Sequence, residues 1–138
     1  MKRFALACGI LFISGCTMVP NLGGGEMVTG TVNASGDVKV AVVRGTGADL
    51  TNADVVPVTN GRFSYMIPSD AEVLTIVAFR DQDGNGKYTE GEPNSMSLSS
   101  GSTYLELTRI NEKWEIKQHA SGGTNTTENL ASANLSLG

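Results

Sequence analysis

Residues 73–93 read VLTIVAFRDQDGNGKYTEGEP, an apolar run followed directly by an acidic one. Residues 73–79 are apolar on both alternating faces and rich in β-branched side chains. That pattern is typical of a strand in the middle of a sheet, covered on both sides. Residues 80–93 are polar and contain several acids and glycines. The sequence therefore predicts a central β-strand that ends in a long acidic loop.

The acidic loop places oxygen-bearing side chains at a specific spacing. Counted from Asp81, positions 1, 3 and 5 are Asp, Asp and Asn, position 6 is Gly and position 12 is Glu. This is the spacing of the EF-hand calcium loop, in which side-chain oxygens and the backbone carbonyl at position 7 surround the ion. The predicted ligands of a structural Ca²⁺ are Asp81, Asp83, Asn85, the Lys87 carbonyl and Glu92.

An ion-free polar turn is the alternative for this loop. Asp, Asn and Gly are ordinary β-turn residues, and Asp-Gly and Asn-Gly pairs close hairpins without any metal. Against that alternative, three ligand carboxylates would repel one another in the absence of a cation. The strand before the loop and Pro93 after it leave no room for the two helices of an EF-hand. We therefore expect the ion to stabilise a connection between strands.

Short alternating segments on both sides of the central strand predict an all-β fold. Asn111 and Glu112 separate two of these segments and are few enough for a tight hairpin. No apolar repeat of 3.6 residues persists long enough to predict a long helix. We predict a single small β-sandwich of about seven strands. The expected strands are residues 26–33, 37–44, 62–67, 73–79, 103–110 and 113–117, with 55–58 and 96–99 as weaker candidates.

The N-terminal residues have the pattern of a secretory signal. Lys2 and Arg3 precede an apolar stretch at residues 4–13, which is far shorter than the roughly 20 residues that span a bilayer. The stretch ends in Ile-Ser-Gly-Cys at residues 13–16, which resembles the lipobox of bacterial lipoproteins. The resemblance implies cleavage before Cys16 and attachment of the acylated Cys16 to membrane lipid. An ordinary thiol beyond a signal peptidase I site is the alternative.

These features divide the chain into four expected parts. They are a signal peptide at 1–15, a lipidated flexible tether at 16–25, a β-sandwich domain at 26–118 and a polar low-complexity tail at 119–138. Removing residues 1–15 leaves 8 basic and 14 acidic residues, a balance that argues against nucleic-acid binding. The tail is rich in Ser, Thr, Asn and Gly, so we expect it to be flexible, although its leucines could form a last strand or a helical turn.

Two stretches together resemble a known family. Residues 61–68, GRFSYMIP, and residues 73–93 resemble the transthyretin-like (prealbumin-like) β-sandwich domains of bacterial secreted proteins and lipoproteins. The resemblance implies a sandwich with a calcium loop between a strand ending in Ala-Phe and a closing Gly-Glu-Pro. The family usually has Asp where this chain has Thr89, and the substitution implies weaker calcium binding.

The residues that would support catalysis are missing from the sequence. His119 is the one histidine, and it lies at the start of the expected tail without a partner nucleophile or zinc-ligand spacing. We expect a non-enzymatic binding or scaffold module of the cell envelope, with an unidentified envelope protein or glycan as partner. Thr17 after Cys16 lacks the Asp that favours inner-membrane retention, so we expect the outer membrane. The alternative is a carbohydrate- or peptide-binding domain whose site the calcium loop shapes. Trp114 could line a sugar-stacking face, but it alternates with Lys113 and Glu115 and is more simply a core residue.

Overall fold

The computed structural model describes residues 26–45, 49–97 and 101–138. The expected signal peptide at 1–15 and the tether at 16–25, including Cys16, lie outside the described residues. Within the described ranges, no helix has both the length and the apolar content needed to cross a membrane.

The described residues form nine strands and two single-turn 3-10 helices, which confirms the all-β prediction. The 3-10 turns are Leu50–Asn52 and Ser95–Ser97. The strands are β1 (Met27–Asn33), β2 (Val38–Arg44), β3 (Asp54–Val56), β4 (Arg62–Met66), β5 (Val73–Arg80), β6 (Thr103–Ile110), β7 (Lys113–Ala120), β8 (Gly123–Thr127) and β9 (Leu135–Ser136).

All nine strands belong to one mixed sheet that nearly closes, an arrangement compatible with a β-sandwich. The order along the sheet is β3-β2-β5-β6-β9-β1-β4, and β7 and β8 extend it from β6. Strand β6 changes neighbours along its length. Leu105 pairs with Ile76 of β5, whereas Thr103 pairs with Ser136 of β9. The change lets β1 and β4 contribute Val28 and Phe63 to the same core as the other strands.

Strand β5 is covered on both faces, as the sequence predicts. Leu74, Ile76 and Ala78 lie in the main core, whereas Val77 and Phe79 belong to a second apolar cluster on the opposite face. Partly buried side chains cover this second cluster from the loops and neighbouring strands; they are Ala53, Val55, Tyr88, Met96 and Tyr104. The acidic loop thus contributes to the packing of the strand that leads into it.

Of two further predictions, the hairpin at residues 111–112 is confirmed and the strand at 96–99 is not. Asn111 and Glu112 have φ values of 53° and 65° and join β6 to β7 in a two-residue turn, so the tight hairpin is confirmed. The weak strand expected at 96–99 is wrong for the residues described there, because Ser95–Ser97 form a 3-10 turn. The Ser95 hydroxyl accepts a hydrogen bond from the Ala78 amide at 3.0 Å, so this turn packs against β5 and does not pair along it.

The expectation of a flexible tail at 119–138 is wrong. Strand β7 continues through Ala120, β8 pairs with it, and β9 lies between β1 and β6. The side chains of Ala133, Leu135 and Leu137 are buried in the main core. The segment is polar because β8 is an exposed strand at the edge of the sheet. The last residues of the segment alternate between buried and exposed positions.

The C-terminal segment lies directly on the backbone of β1. The Thr29 amide donates to the Leu130 carbonyl at 2.8 Å, and the Ala133 amide donates to the Thr29 carbonyl at 3.1 Å. A Cβ atom on Gly30 would overlap the Ala133 carbonyl group. Gly30 is therefore required because two backbones approach each other closely at this point.

Candidate metal centre

The acidic loop begins where β5 ends, and backbone hydrogen bonds join its two ends to each other and its first residue to the segment before β2. The Arg80 amide donates to the Pro93 carbonyl at 2.9 Å, and the Asp81 amide donates to the Asp37 carbonyl at 2.9 Å. The Tyr88 ring packs edge-on against Phe79 with centroids 5.6 Å apart. Tyr88, at position 8, therefore holds the middle of the loop against the domain.

Three of the predicted ligands come together. Asp81, Asp83 and Glu92 each offer a carboxylate oxygen, and these oxygens lie within 4.8 Å of one another. Asp81 and Glu92 are buried, at 4% and 6% exposure, whereas Asp83 is exposed. The Asp81 Oδ1 atom is buried and has no hydrogen-bond partner within the described part of the chain. An unpaired carboxylate oxygen in this position is costly unless a cation or another donor satisfies it.

Glu92 organises the backbone of the loop. Its Oε2 atom accepts hydrogen bonds from the amides of Gln82 at 2.6 Å and Asp83 at 3.3 Å. Its Oε1 atom accepts from the Thr89 amide at 2.7 Å. These bonds curl the loop around one carboxylate, and Oε1, which accepts a single hydrogen bond, still has acceptor capacity for a further contact.

Asp81 is held by both the loop and β2. Its Oδ2 atom accepts from the Gly86 amide at 2.9 Å and lies 3.0 Å from the Lys39 Nζ atom. Lys39 also contacts the Asp37 carboxylate at 2.9 Å. Burial alone would raise the pKa of the Asp81 carboxyl, but the hydrogen bonds from Lys39 and Gly86 outweigh it and hold that pKa below its usual value. Asp81 is therefore ionised at neutral pH.

The other two predicted ligands lie in the same loop but are engaged differently. Asn85 Oδ1 accepts from the Lys87 amide at 2.9 Å, and Asn85 Nδ2 donates to the Thr89 hydroxyl at 3.0 Å. The Thr89 hydroxyl in turn donates to Asp83 Oδ2 at 2.7 Å. Asn85 and the Lys87 carbonyl stay predictions as ligands.

Gly86 has the backbone conformation that position 6 requires. Its φ is 79°, in the left-handed region that L side chains rarely adopt. This conformation turns the chain so that the Gly86 amide points back to Asp81. The glycine in the motif is thus explained by the geometry of the loop.

The oxygens brought together suit a hard cation. The three carboxylates carry three negative charges within a few ångströms, and Lys39 offsets one of them. Carboxylate oxygens with spare lone pairs are typical ligands of Ca²⁺, which takes six to eight oxygens. The residues present therefore fit a divalent cation of this kind, with backbone oxygens or water completing its coordination.

Lys39 and Asp37 are the residues of this site that the sequence pattern does not reveal. Both lie on or before β2, far from the loop in sequence, and Lys39 reads there as an exposed residue of an alternating strand. Only the register that pairs Lys39 with Phe79 places its ammonium beside Asp81. Lys39 could therefore be identified from the sequence only if the pairing of β2 with β5 were already known.

The aromatic and histidine candidates lie elsewhere. Trp114 is 3% exposed in the core, below the Arg109 guanidinium at 5.8 Å, so it offers no open face for a sugar. His119 belongs to β7 and stacks on Tyr104 at 4.8 Å between centroids. Its Nε2 atom lies 3.3 Å from Glu106 Oε1. These contacts give His119 a structural role on the outer surface of the sheet.

The fold and the site together define an all-β domain with an acidic inter-strand loop of metal-binding composition. Comparison of the chain with family models, curated proteins and solved structures gave no match.

Proposed function

We propose that this chain is a lipid-anchored cell-envelope protein whose β-sandwich is a non-enzymatic binding or scaffold module stabilised by a Ca²⁺ ion. The ion would be held in an EF-hand-like loop by Asp81, Asp83 and Glu92, with Asn85 and the Lys87 carbonyl as further ligands. In this proposal the domain is transthyretin-like in architecture, and Cys16 bears the acyl chains that attach it to the outer membrane.

The observation that supports the metal site best is the unpaired Asp81 Oδ1 atom. It is buried, has no hydrogen-bond partner among residues 26–45, 49–97 and 101–138, and belongs to a carboxylate grouped with two others. A cation at this position would satisfy the orphaned oxygen and relieve the repulsion among the carboxylates. Both effects favour the folded protein with the ion bound over the folded protein without it.

Calcium suits the loop better than magnesium. Mg²⁺ retains several of its waters and needs octahedral geometry, whereas Ca²⁺ accepts many protein oxygens in a flexible arrangement. Extracellular calcium modules work with dissociation constants of about 10⁻⁴ to 10⁻³ M. An ion bound with that affinity would stabilise the fold by mass action, with no signalling movement required.

A thermal melt in the presence and absence of Ca²⁺ tests the metal site. We expect 10 mM Ca²⁺ to stabilise the chain by about 1.4 to 2.7 kcal/mol, which corresponds to ten to a hundred times the dissociation constant. Asp83→Asn should reduce this gain. Glu90→Gln removes an exposed acid of the same loop that lies outside the cluster and should preserve the gain. An unchanged melting temperature of the unsubstituted chain in Ca²⁺ would refute the proposal.

Membrane attachment needs its own test. Cys16→Ser should give an unprocessed chain that partitions into the aqueous phase of a detergent extraction, because the acyl chains that provide stable anchoring are missing. Fractionation of inner and outer membranes then tests the expected location of the unsubstituted chain. Detergent partitioning that is the same with Ser at position 16 would contradict the anchor.

Ligand binding beside the loop is the second candidate function. A cleft of about 390 Å³ lies between the 3-10 turn Leu50–Asn52 and residues 86–88 of the loop. Its size falls within the range of small-ligand sites, and a bound ion would fix one of its walls. A glycan array probed with and without Ca²⁺ tests this function. Calcium-dependent binding that is lost in Asn52→Ala would support it, and the absence of binding would leave the scaffold role.

A further inference from the structure

We propose that Lys39 is a built-in counter-cation that lowers the calcium affinity of the acidic loop and keeps the ion-free loop ordered. The inference rests on the proposed calcium site and adds the residue that sets its affinity. It assigns a role to a side chain of β2 that lies outside the loop motif.

The position of Lys39 is fixed by two carboxylates. Its Nζ atom lies 3.0 Å from Asp81 Oδ2 and 2.9 Å from Asp37 Oδ1, and its side chain is 23% exposed. The Asp81 side chain that it contacts is fully buried. Because two acids hold the ammonium group, the lysine remains close to Asp81 and does not move freely into solvent.

The ammonium group affects the ion-free and ion-bound forms in opposite ways. Without an ion, its positive charge offsets part of the repulsion among Asp81, Asp83 and Glu92 and so stabilises the ordered loop. With Ca²⁺ bound to Asp81, the ammonium and the ion lie on the same carboxylate and repel each other. The same charge therefore raises the stability of the ion-free protein and lowers its affinity for the ion.

Lys87 provides the matched comparison. It is a lysine of the same loop, but it is exposed, and it makes no ion pair among the described residues. Its charge is screened by water and salt, so its removal should change calcium affinity much less than removal of the Lys39 charge.

Calcium titration by isothermal calorimetry on the full chain in a non-ionic detergent tests the role of Lys39. We expect Lys39→Met to bind Ca²⁺ about tenfold more tightly than the unsubstituted chain and to melt at a lower temperature without the ion. Lys39→Arg, which keeps the charge, should bind within about threefold of the unsubstituted chain. Lys87→Met should show a similarly small change. If the Met variant fails to fold, Lys39→Gln removes the charge and keeps a hydrogen-bond donor.

The outcomes separate this inference from the proposed site. Tighter binding by Lys39→Met with little change in Lys87→Met supports the role of Lys39, because a purely structural lysine would alter stability without improving affinity. Unchanged or weaker binding by Lys39→Met and Lys39→Gln, with normal binding by the unsubstituted chain, overturns the role and leaves the calcium site intact. If the unsubstituted chain and both variants bind no Ca²⁺, the proposed site itself is wrong.

Discussion

Asp81 connects the strand, the loop and the neighbouring strand through separate atoms. Its amide donates to Asp37, its Oδ2 atom contacts Gly86 and Lys39, and its Oδ1 atom is buried without a partner. The position follows β5 directly, so a small shift of the strand would move all of these contacts together. The properties of the site thus depend on a residue that is part of the fold as much as of the loop.

Thr89 stands at position 9 of the acidic loop, and a substitution tests how its side chain affects calcium binding. Thr89→Asp adds a carboxylate next to Asp83 and removes the hydroxyl that donates to it at 2.7 Å. We expect tighter Ca²⁺ binding by a few-fold and a lower melting temperature without the ion, because like charges then face each other. Calorimetry and thermal melts measure the two effects. Thr89→Val, which loses the hydroxyl without adding charge, should not bind more tightly, and weaker binding by Thr89→Asp would contradict the prediction.

Gly30 tests the close approach of the C-terminal segment to β1. Gly30→Ala places a Cβ atom against the Ala133 backbone, which cannot move aside as a flexible side chain would. We expect a loss of about 1 to 3 kcal/mol in the free energy of unfolding, measured in urea. Gly122→Ala meets nothing within 4 Å and should change stability by less than about 0.5 kcal/mol. Equal effects of the two substitutions would contradict the packing described.

Local sequence patterns predict the strands that form the core. They predict the strands at the C-terminal end only in part. Strand β5 and the Asn111-Glu112 hairpin follow from local patterns, namely an apolar run and a two-residue turn. Strand β8 has no apolar alternation because all but its last residue are exposed. Residues 133–137 do alternate, with every second side chain buried, and that short signal was outweighed by the polar composition around it.

Leu135 tests whether strand β9 belongs to the folded domain. The side chain is 1% exposed, in the main core. Leu135→Ala should destabilise the chain by about 2 to 5 kcal/mol, because it removes buried methyl groups and leaves a cavity. Thr126→Ala, on the exposed strand β8, serves as the control and should have little effect. A change below about 0.5 kcal/mol for Leu135→Ala would mean that the segment does not pack as described.

Tyr65 joins the two strands at the ends of the sheet path and gives a pH-dependent prediction. Its hydroxyl donates to Asp54 Oδ2 of β3 at 3.0 Å. Burial and this hydrogen bond raise the pKa of Tyr65 to about 12. Since the folded pKa lies above the unfolded value of about 10, the stabilising contribution is complete below pH 10 and is lost as the pH rises through 12.

Tyr65→Phe should therefore cost about 0.5 to 1.5 kcal/mol at neutral pH and make stability less sensitive to pH between 10 and 12. Urea denaturation of both proteins across this range measures the difference. The two stability curves should approach each other as the pH rises. A constant difference between them at every pH would contradict the assigned hydrogen bond.

The site depends on long-range strand pairing that local sequence patterns do not show. The ligand spacing at Asp81, Asp83 and Glu92 is local, and the structure brings those three residues together. The contact of Lys39 with Asp81 arises only because β2 lies antiparallel to β5 in one register. Local spacing thus predicts the candidate ligands, whereas the charge that surrounds them is set by topology.

The proposed Ca²⁺ ion would occupy the acidic loop and satisfy the buried Asp81 Oδ1 atom. A crystal structure of the protein grown with Ca²⁺ tests this proposal most directly. We predict an anomalous difference peak in the loop, with Asp81 Oδ1 and oxygens of Asp83 and Glu92 at about 2.3 to 2.6 Å from the ion. A loop with no such peak at saturating Ca²⁺, and with Asp81 Oδ1 bonded to water or a protein donor, would contradict the account.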